Sequence, residues 1–241
     1  MKDGKTFSTK LADQLEGLRL ACLALVQPGK VFDALVARPR YAWPMILGLI
    51  ASLLFAVTIE KRVGYERVAE SLAPMMSQLG MKPVTRYNAA NGIRLDYYLS
   101  YTADLIWLLI GACAAWLLLL VSMGKRYKWS VIFSCICYGS LPFVVRKLLV
   151  VASLWTFVDG ETYDPRMPIA SAPSALVSQA DHPLLYSTLA TCDIFTLWCV
   201  VLLAVAWVSI TRSNSLAARL WIPGLYLIWC MLTIAASAMF A

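Results

Sequence analysis

Long apolar runs separated by polar stretches dominate the pattern of this chain. The first runs from Tyr41 to Ile59 without a charge, and Tyr41 and Trp43 stand at its start, where interfacial aromatics belong. The second covers about 102–123; its uncharged stretch, Leu105 to Met123, is approached through Tyr97, Tyr98 and Tyr101. A third covers about 129–158, a fourth about 189–211 and a fifth about 220–241. A helix needs roughly 20 apolar residues to cross a hydrocarbon core of about 30 Å, and each run supplies that length. No two-residue alternation points to a barrel. The pattern predicts an all-α membrane protein, a bundle of five transmembrane helices.

Ahead of the first run the period changes. Phe7, Leu11, Leu15, Leu18 and Cys22 recur at helical spacing among Lys10, Asp13 and Glu16, with Thr6 or Ser8 placed to cap the start. A second short helix is predicted in "PGKVFDALVARPR", with Val31, Phe32, Leu35 and Val36 set against Lys30, Asp33 and Arg38. Both have the amphipathic form of interfacial helices; a partner-binding helix or a cap over the bundle fits the same pattern. The chain thus divides into amphipathic helices at 1–40 and a membrane domain at 41–241, with extracytoplasmic connections at 60–101 and 159–188. Within the first connection, "GYERVAESLAPMMSQLGM" predicts a helix bent or ended at Pro74. The early stretch "LRLACLALV" is too short to span and is interrupted by Arg19, so it does not read as a cleavable signal.

Charge gives the orientation. Residues 124–128 carry three cations and no anion, and residues 212–219 carry two cations and no anion. The connection 159–185 sets Arg166 alone against Asp159, Glu161, Asp164 and Asp181. The positive-inside rule places the basic turns in the cytoplasm, the N-terminus inside and the C-terminus outside. Lys61 and Arg62, just past the first run, go against that rule. Composition agrees with a lipid setting: 60% of residues are hydrophobic, against about 45–50% in soluble domains. The net charge of +7 is spread over membrane flanks rather than gathered in one stripe, which argues against nucleic acid as a partner.

The third run holds a puzzle. Trp129 to Val158 would make a straight helix of about 45 Å, longer than the core it crosses, and Gly139 and Pro142 predict a helix break. Arg146 and Lys147 follow the break, although a charge at mid-bilayer costs about 2.5–3.5 kcal/mol on insertion scales. Two carboxylates stand on neighbouring runs, Asp104 and Asp193. Adjacent helical residues point about 100° apart, so the two cations can address different neighbours. Ser134, Tyr138, Pro142 and Arg146 recur every four residues as one stripe, and Asp193 and Thr196 share a face. These positions predict an intramembrane polar cluster of Arg146, Lys147, Asp193, Asp104, Tyr138 and Thr196. It is either a substrate or ion pathway or a structural ion pair fixing helix register. The lack of Gly-rich broken helices in matched halves favours the second reading. Lys147 has the further option of snorkelling to an interface.

Candidate chemistry is sparse. Six of the seven cysteines (Cys113, Cys135, Cys137, Cys192, Cys199 and Cys230) lie in apolar segments, without a CxxC, and read as small buried hydrophobes. The single histidine, His182, sits between Asp181 and Pro183 and reads as a solvated loop residue. Metal-ligand spacing, a nucleophile elbow and a Gly-rich phosphate loop are all missing. The sequence predicts no enzyme, no cofactor and no metal.

Three segments carry a resemblance. "DIFTLWCVVLLAVAW", Asp193 to Trp207, resembles the D-x-F-x-x-W motif that opens the fourth span in bacterial members of the YIP family, five-span proteins named for Ypt/Rab interaction. "QPGKVFDALVARPRYAWPMILGLI" is similar to that family's leading helix and first span, and "YGSLPFVV" to its third-span Tyr–x–x–x–Pro segment. The likeness covers the chain from about Gln27 onward, and rests on the order and spacing of motifs that are individually unspecific. The Arg146–Lys147 pair has no counterpart in the family pattern, and the 60–103 stretch is not diagnostic. The resemblance implies a bacterial inner-membrane protein. Eukaryotic relatives act in vesicle traffic with small GTPases, whereas the bacterial branch has no settled activity. The expectation is a non-enzymatic scaffold or accessory subunit in the lipid bilayer, working with a membrane-protein partner or a second copy. Small-residue patches, "GACAA" and "AASA", suit either internal packing or such association. The alternative is a transporter or channel for a small solute, ion or lipid that uses the Arg/Asp cluster.

Overall fold

The computed structural model describes residues 15–78, 86–123, 127–161, 163, 165, 169, 171–177, 186, 189, 192–213 and 215–240. Every regular element among them is a helix. The expected helix start at Phe7 with its Thr6 or Ser8 cap, the basic residues 125 and 126, and His182 lie outside the described residues, as do the side chains of the "AASA" patch.

Residues 15–24 form α1, followed by α2 (Pro28–Ala37). Pro28 opens α2, where its missing N–H costs nothing and its fixed φ suits a first turn. Ala21 and Ala24 of α1 and Val31, Phe32 and Leu35 of α2 are buried in one cluster with Ile132, Tyr138, Leu202 and Trp207. Their apolar faces are therefore covered by protein.

The first span, α3 (Ala42–Arg62), ends where Gly64 adopts φ +84° and its N–H returns to the Ile59 carbonyl. A left-handed residue closes a helix at little cost only when it lacks a Cβ. The next helix, α4 (Tyr65–Gln78), continues through Pro74 instead of ending there. After it, α5 (Arg86–Met123) runs unbroken for 38 residues, and its Ala89–Val121 portion is long enough and holds an apolar stretch sufficient to cross a membrane. The helix begins well before residue 102, so much of the 60–101 connection is helical. No proline interrupts 86–123, and the early charges are matched across helices: Arg94 pairs with Glu60 at 2.9 Å, and the Tyr98 hydroxyl donates to Glu60 at 2.5 Å.

The third run divides in two. Helix α6 (Trp129–Gly139) ends at Ser140, and α7 (Leu141–Thr156) restarts with Pro142 in its first turn. Pro142 has no N–H to give to α6, so the chain restarts there. Gly139 serves packing: a Cβ on it would fall 2.5 Å from the Leu203 side chain of the fourth span. That span, α8 (Ile194–Thr211), begins at Ile194 and not near 189, because Asp193 caps it. It ends at Arg212, a non-glycine residue at φ 51°. The last helix, α9 (Leu216–Phe240), contains Pro223.

Four helices among the described residues are long and apolar enough to cross a membrane: Ala42–Arg62, Ala89–Val121, Trp129–Thr156 and Ile194–Thr211. Within α9 the described apolar stretch, Arg219–Leu232, is shorter. Large apolar side chains cover the outside of these helices, among them Ile46, Leu49, Ile50 and Leu53 of α3 and Ile106, Leu109, Ile110 and Leu117 of α5. Faces this apolar on several helices belong in lipid.

Beside a small buried cluster of Ala112, Phe133 and Cys137, two larger ones hold the bundle. One joins α1 and α2 to Leu119, Ile132, Tyr138, Leu202 and Trp207 at the end carrying the loops 127–128 and 212–215. The other joins Ile59, Tyr65, Val68, Ala90, Val150, Leu154 and Tyr163 at the opposite end. There Arg62 donates to the Leu154 carbonyl at 2.9 Å and lies over the Trp155 ring at 5.4 Å. It caps the C-terminus of α7, a specific use for a cation on a flank that the charge rule would leave neutral. Burial pushes the Tyr65 phenol up in pKa, and its hydroxyl donates to the Ala56 carbonyl at 2.9 Å.

Gly160 seals this end: a Cβ there would lie 1.8 Å from the Arg62 carbonyl oxygen. Gly160→Ala must displace backbone and is expected to cost about 1–3 kcal/mol. Gly92, with nothing within 4 Å of its would-be Cβ, is the control; Gly92→Ala should gain about 0.5–1 kcal/mol from helix propensity. Unfolding midpoints of the two variants in detergent check the contrast.

Candidate functional site

The candidate site is built on the restart of the third span. Arg146 and Lys147 occupy the second turn of α7 and, as adjacent helical residues must, face different neighbours. Lys147 Nζ donates to Ser52 Oγ at 2.9 Å and to the Asp104 carboxylate. Ser52 is buried on α3, and Asp104 lies on α5 with half of its side chain exposed, so one ammonium links three spans.

Arg146 faces the start of α8. Its guanidinium lies 3.7 Å from Asp193 Oδ2, an ion pair too long to be a hydrogen bond. Asp193 is occupied by other donors. Oδ2 accepts from the Thr196 backbone N–H at 3.1 Å and from Thr196 Oγ1 at 3.0 Å, and Oδ1 accepts from Ser171 Oγ. The Ile194 N–H also donates to the Ser171 carbonyl at 3.1 Å. Asp193 is thus an N-cap whose negative charge meets the positive end of the helix, and only 8% of its side chain is exposed.

Where α8 begins decides what Arg146 meets. Leu203 packs against Gly139. Outward from that contact α7 continues to Thr156, about 17 residues, whereas α8 reaches only to Ile194, about 9. By residue count the outer part of α8 is the shorter of the two. Ser171 and Asp193, described residues of the connection between them, meet at the start of α8. Arg146 faces Asp193 there.

A cavity of about 650 Å³ opens beside both cations. Gly48 and Phe55 of α3, Tyr101 and Trp107 of α5, and Phe143 of α7 give it apolar and aromatic walls. Arg146, Lys147 and Asp104 supply its charges. It lies between the two larger buried clusters, at the level of the Ser140 break.

The predicted cluster is therefore two pairs, Arg146 with Asp193 and Thr196, and Lys147 with Asp104. Tyr138 is not with them. Its hydroxyl donates to the Gly17 carbonyl of α1 at 3.2 Å, at the other end of the bundle. The chain restarts at Ser140 between Tyr138 and Arg146, so the four-residue stripe does not carry across, and Ser134 is satisfied locally by the Ser130 carbonyl at 2.6 Å. Sequence reading missed Ser171 and Ser52. The spacing Asp193-x-x-Thr196 before an apolar run was a legible cap signal; Ser52, in an uncharged run, gave none. Among the described residues no group of three or more His, Cys, Asp or Glu is placed to hold a metal. In comparisons with family models, curated proteins and solved structures, the chain matches none.

The Lys147–Asp104 contact is expected to show interaction energy. Lys147→Met and Asp104→Leu should each destabilise the bundle, and the double variant should lose less than their sum, by about 0.5–3 kcal/mol. At the other pair, Asp193→Ala should lose about 1 kcal/mol or more with the cap, and Asp193→Asn, which caps equally well, should lose less. Unfolding of the purified protein in detergent measures all five variants.

Proposed function

We propose that the chain is a non-enzymatic, five-pass protein of a bacterial inner membrane, akin to the YIP family, acting as a scaffold or accessory subunit. The observation that carries this reading is the commitment of Lys147. One side chain ties α3, α5 and α7 together through Ser52 and Asp104, which suits a fixed frame better than a moving gate. Apolar clusters at both ends support the same reading. In this reading α9 is the fifth span; α1 and α2 lie on the cytoplasmic side, and the C-terminus is extracytoplasmic. The partner is another membrane protein or a second copy, met through the apolar outer faces.

The cavity beside Arg146 and Lys147 favours a second reading, a transporter or channel for a small solute, ion or lipid. Its volume falls in the range of about 300–1,000 Å³ typical of small-molecule sites.

Topology is the first test. Alkaline phosphatase fused after residue 240 is expected to be active, and fused after Ser213 inactive; equal activity at both places would remove the fifth span. Function is tested by cross-linking in native membrane and co-purification. A scaffold should bring down one stoichiometric membrane protein or a second copy of itself. A lone protein that catalyses solute flux in proteoliposomes would establish the second reading instead.

A further inference from the structure

Arg146 is incompletely used. Among the described residues its one charged contact is Asp193 at 3.7 Å, and it makes no hydrogen bond, although a guanidinium carries five N–H donors. Asp193 already accepts three hydrogen bonds. The side chain is 31% exposed, and it lines the cavity. A buried donor left unmade is costly.

Among the described lining residues Lys147 and Asp104 pair with each other, whereas Arg146 faces the cavity with its N–H donors unfilled, because Asp193, 3.7 Å away, already accepts from Ser171 and Thr196. An arginine fork matches the paired oxygens of a phosphate. Elsewhere on the cavity wall, Phe55, Tyr101, Trp107 and Phe143 form an apolar surface suited to a hydrocarbon chain.

We infer that the cavity binds one anionic phospholipid, its phosphodiester on Arg146 and one acyl chain along the aromatic wall between α3, α5 and α7. This requires the bundle to lie in a membrane but not that it be a scaffold or a transporter. Failure of the lipid test leaves the topology and cross-linking results standing.

The test is native mass spectrometry of the full chain in detergent, titrated separately with phosphatidylglycerol, phosphatidylethanolamine, phosphatidylcholine and inorganic phosphate. One phosphatidylglycerol should be retained about tenfold more tightly than either zwitterionic lipid. Inorganic phosphate should neither bind detectably nor displace it, since the acyl chain supplies much of the affinity. Arg146→Gln should abolish the preference. Asp193→Asn keeps the cap while removing the competing charge, so it should tighten phosphatidylglycerol binding; this variant decides the matter if Arg146→Gln does not fold. Equal retention of the three lipids overturns the inference. So does preference for a zwitterionic lipid, displacement by inorganic phosphate, a preference that survives in Arg146→Gln, or unchanged or weakened binding in Asp193→Asn.

Discussion

A charge inside a membrane protein is tolerable only where the protein brings it polar company, and here Asp193 determines where that company lies. By capping α8 it sets that helix's start at Ile194. Ser171, from the preceding connection, shares the carboxylate with the first turn of α8. Arg146 faces this capped start.

The break at Ser140 acts with the short helix. Gly139 lets α6 approach Leu203 closely, and Pro142 restarts the chain as α7. Below the break, Tyr138 turns toward α1 and joins the cluster formed with the leading helices. Above it, α7 joins α3 and the outer cluster through Val150 and Leu154. Of the four candidate spans α5 is the least covered, and the cavity opens beside it. The cavity follows from a helix that changes partners halfway along its length.

The helical architecture was legible because apolar length and an absence of charge are local properties, readable without knowing any neighbour. The break was legible for a similar reason, since proline removes a donor wherever it falls. Boundaries were less legible. Helix α5 begins well ahead of its uncharged run, where Arg94 and Tyr98 meet Glu60, pairings made between distant parts of the chain. The stripe from Ser134 to Arg146 failed because a four-residue spacing has meaning only while the helix is continuous. Asp104 and Asp193 were readable as acidic partners by elimination. Their division between the two cations depended on the rotation of α7 and on where α8 begins.

The two pairs use similar chemistry for different ends. Lys147 has its ammonium engaged by a serine and a carboxylate on two other helices, so it resists any motion that separates them. Arg146 has only a distant carboxylate that is already satisfied, so replacing Asp193 as its nearest anion disrupts little. A rigid cross-link next to an under-committed guanidinium is the arrangement expected where a fixed cavity must hold an exchangeable anion. Had the donors of both cations been fully engaged, the cavity would offer no free donor and would select its occupant by shape alone. Had neither been paired, two desolvated positive charges would repel each other within one turn of α7. The asymmetry between Arg146 and Lys147 therefore reconciles a stable bundle with a site that is still free to bind.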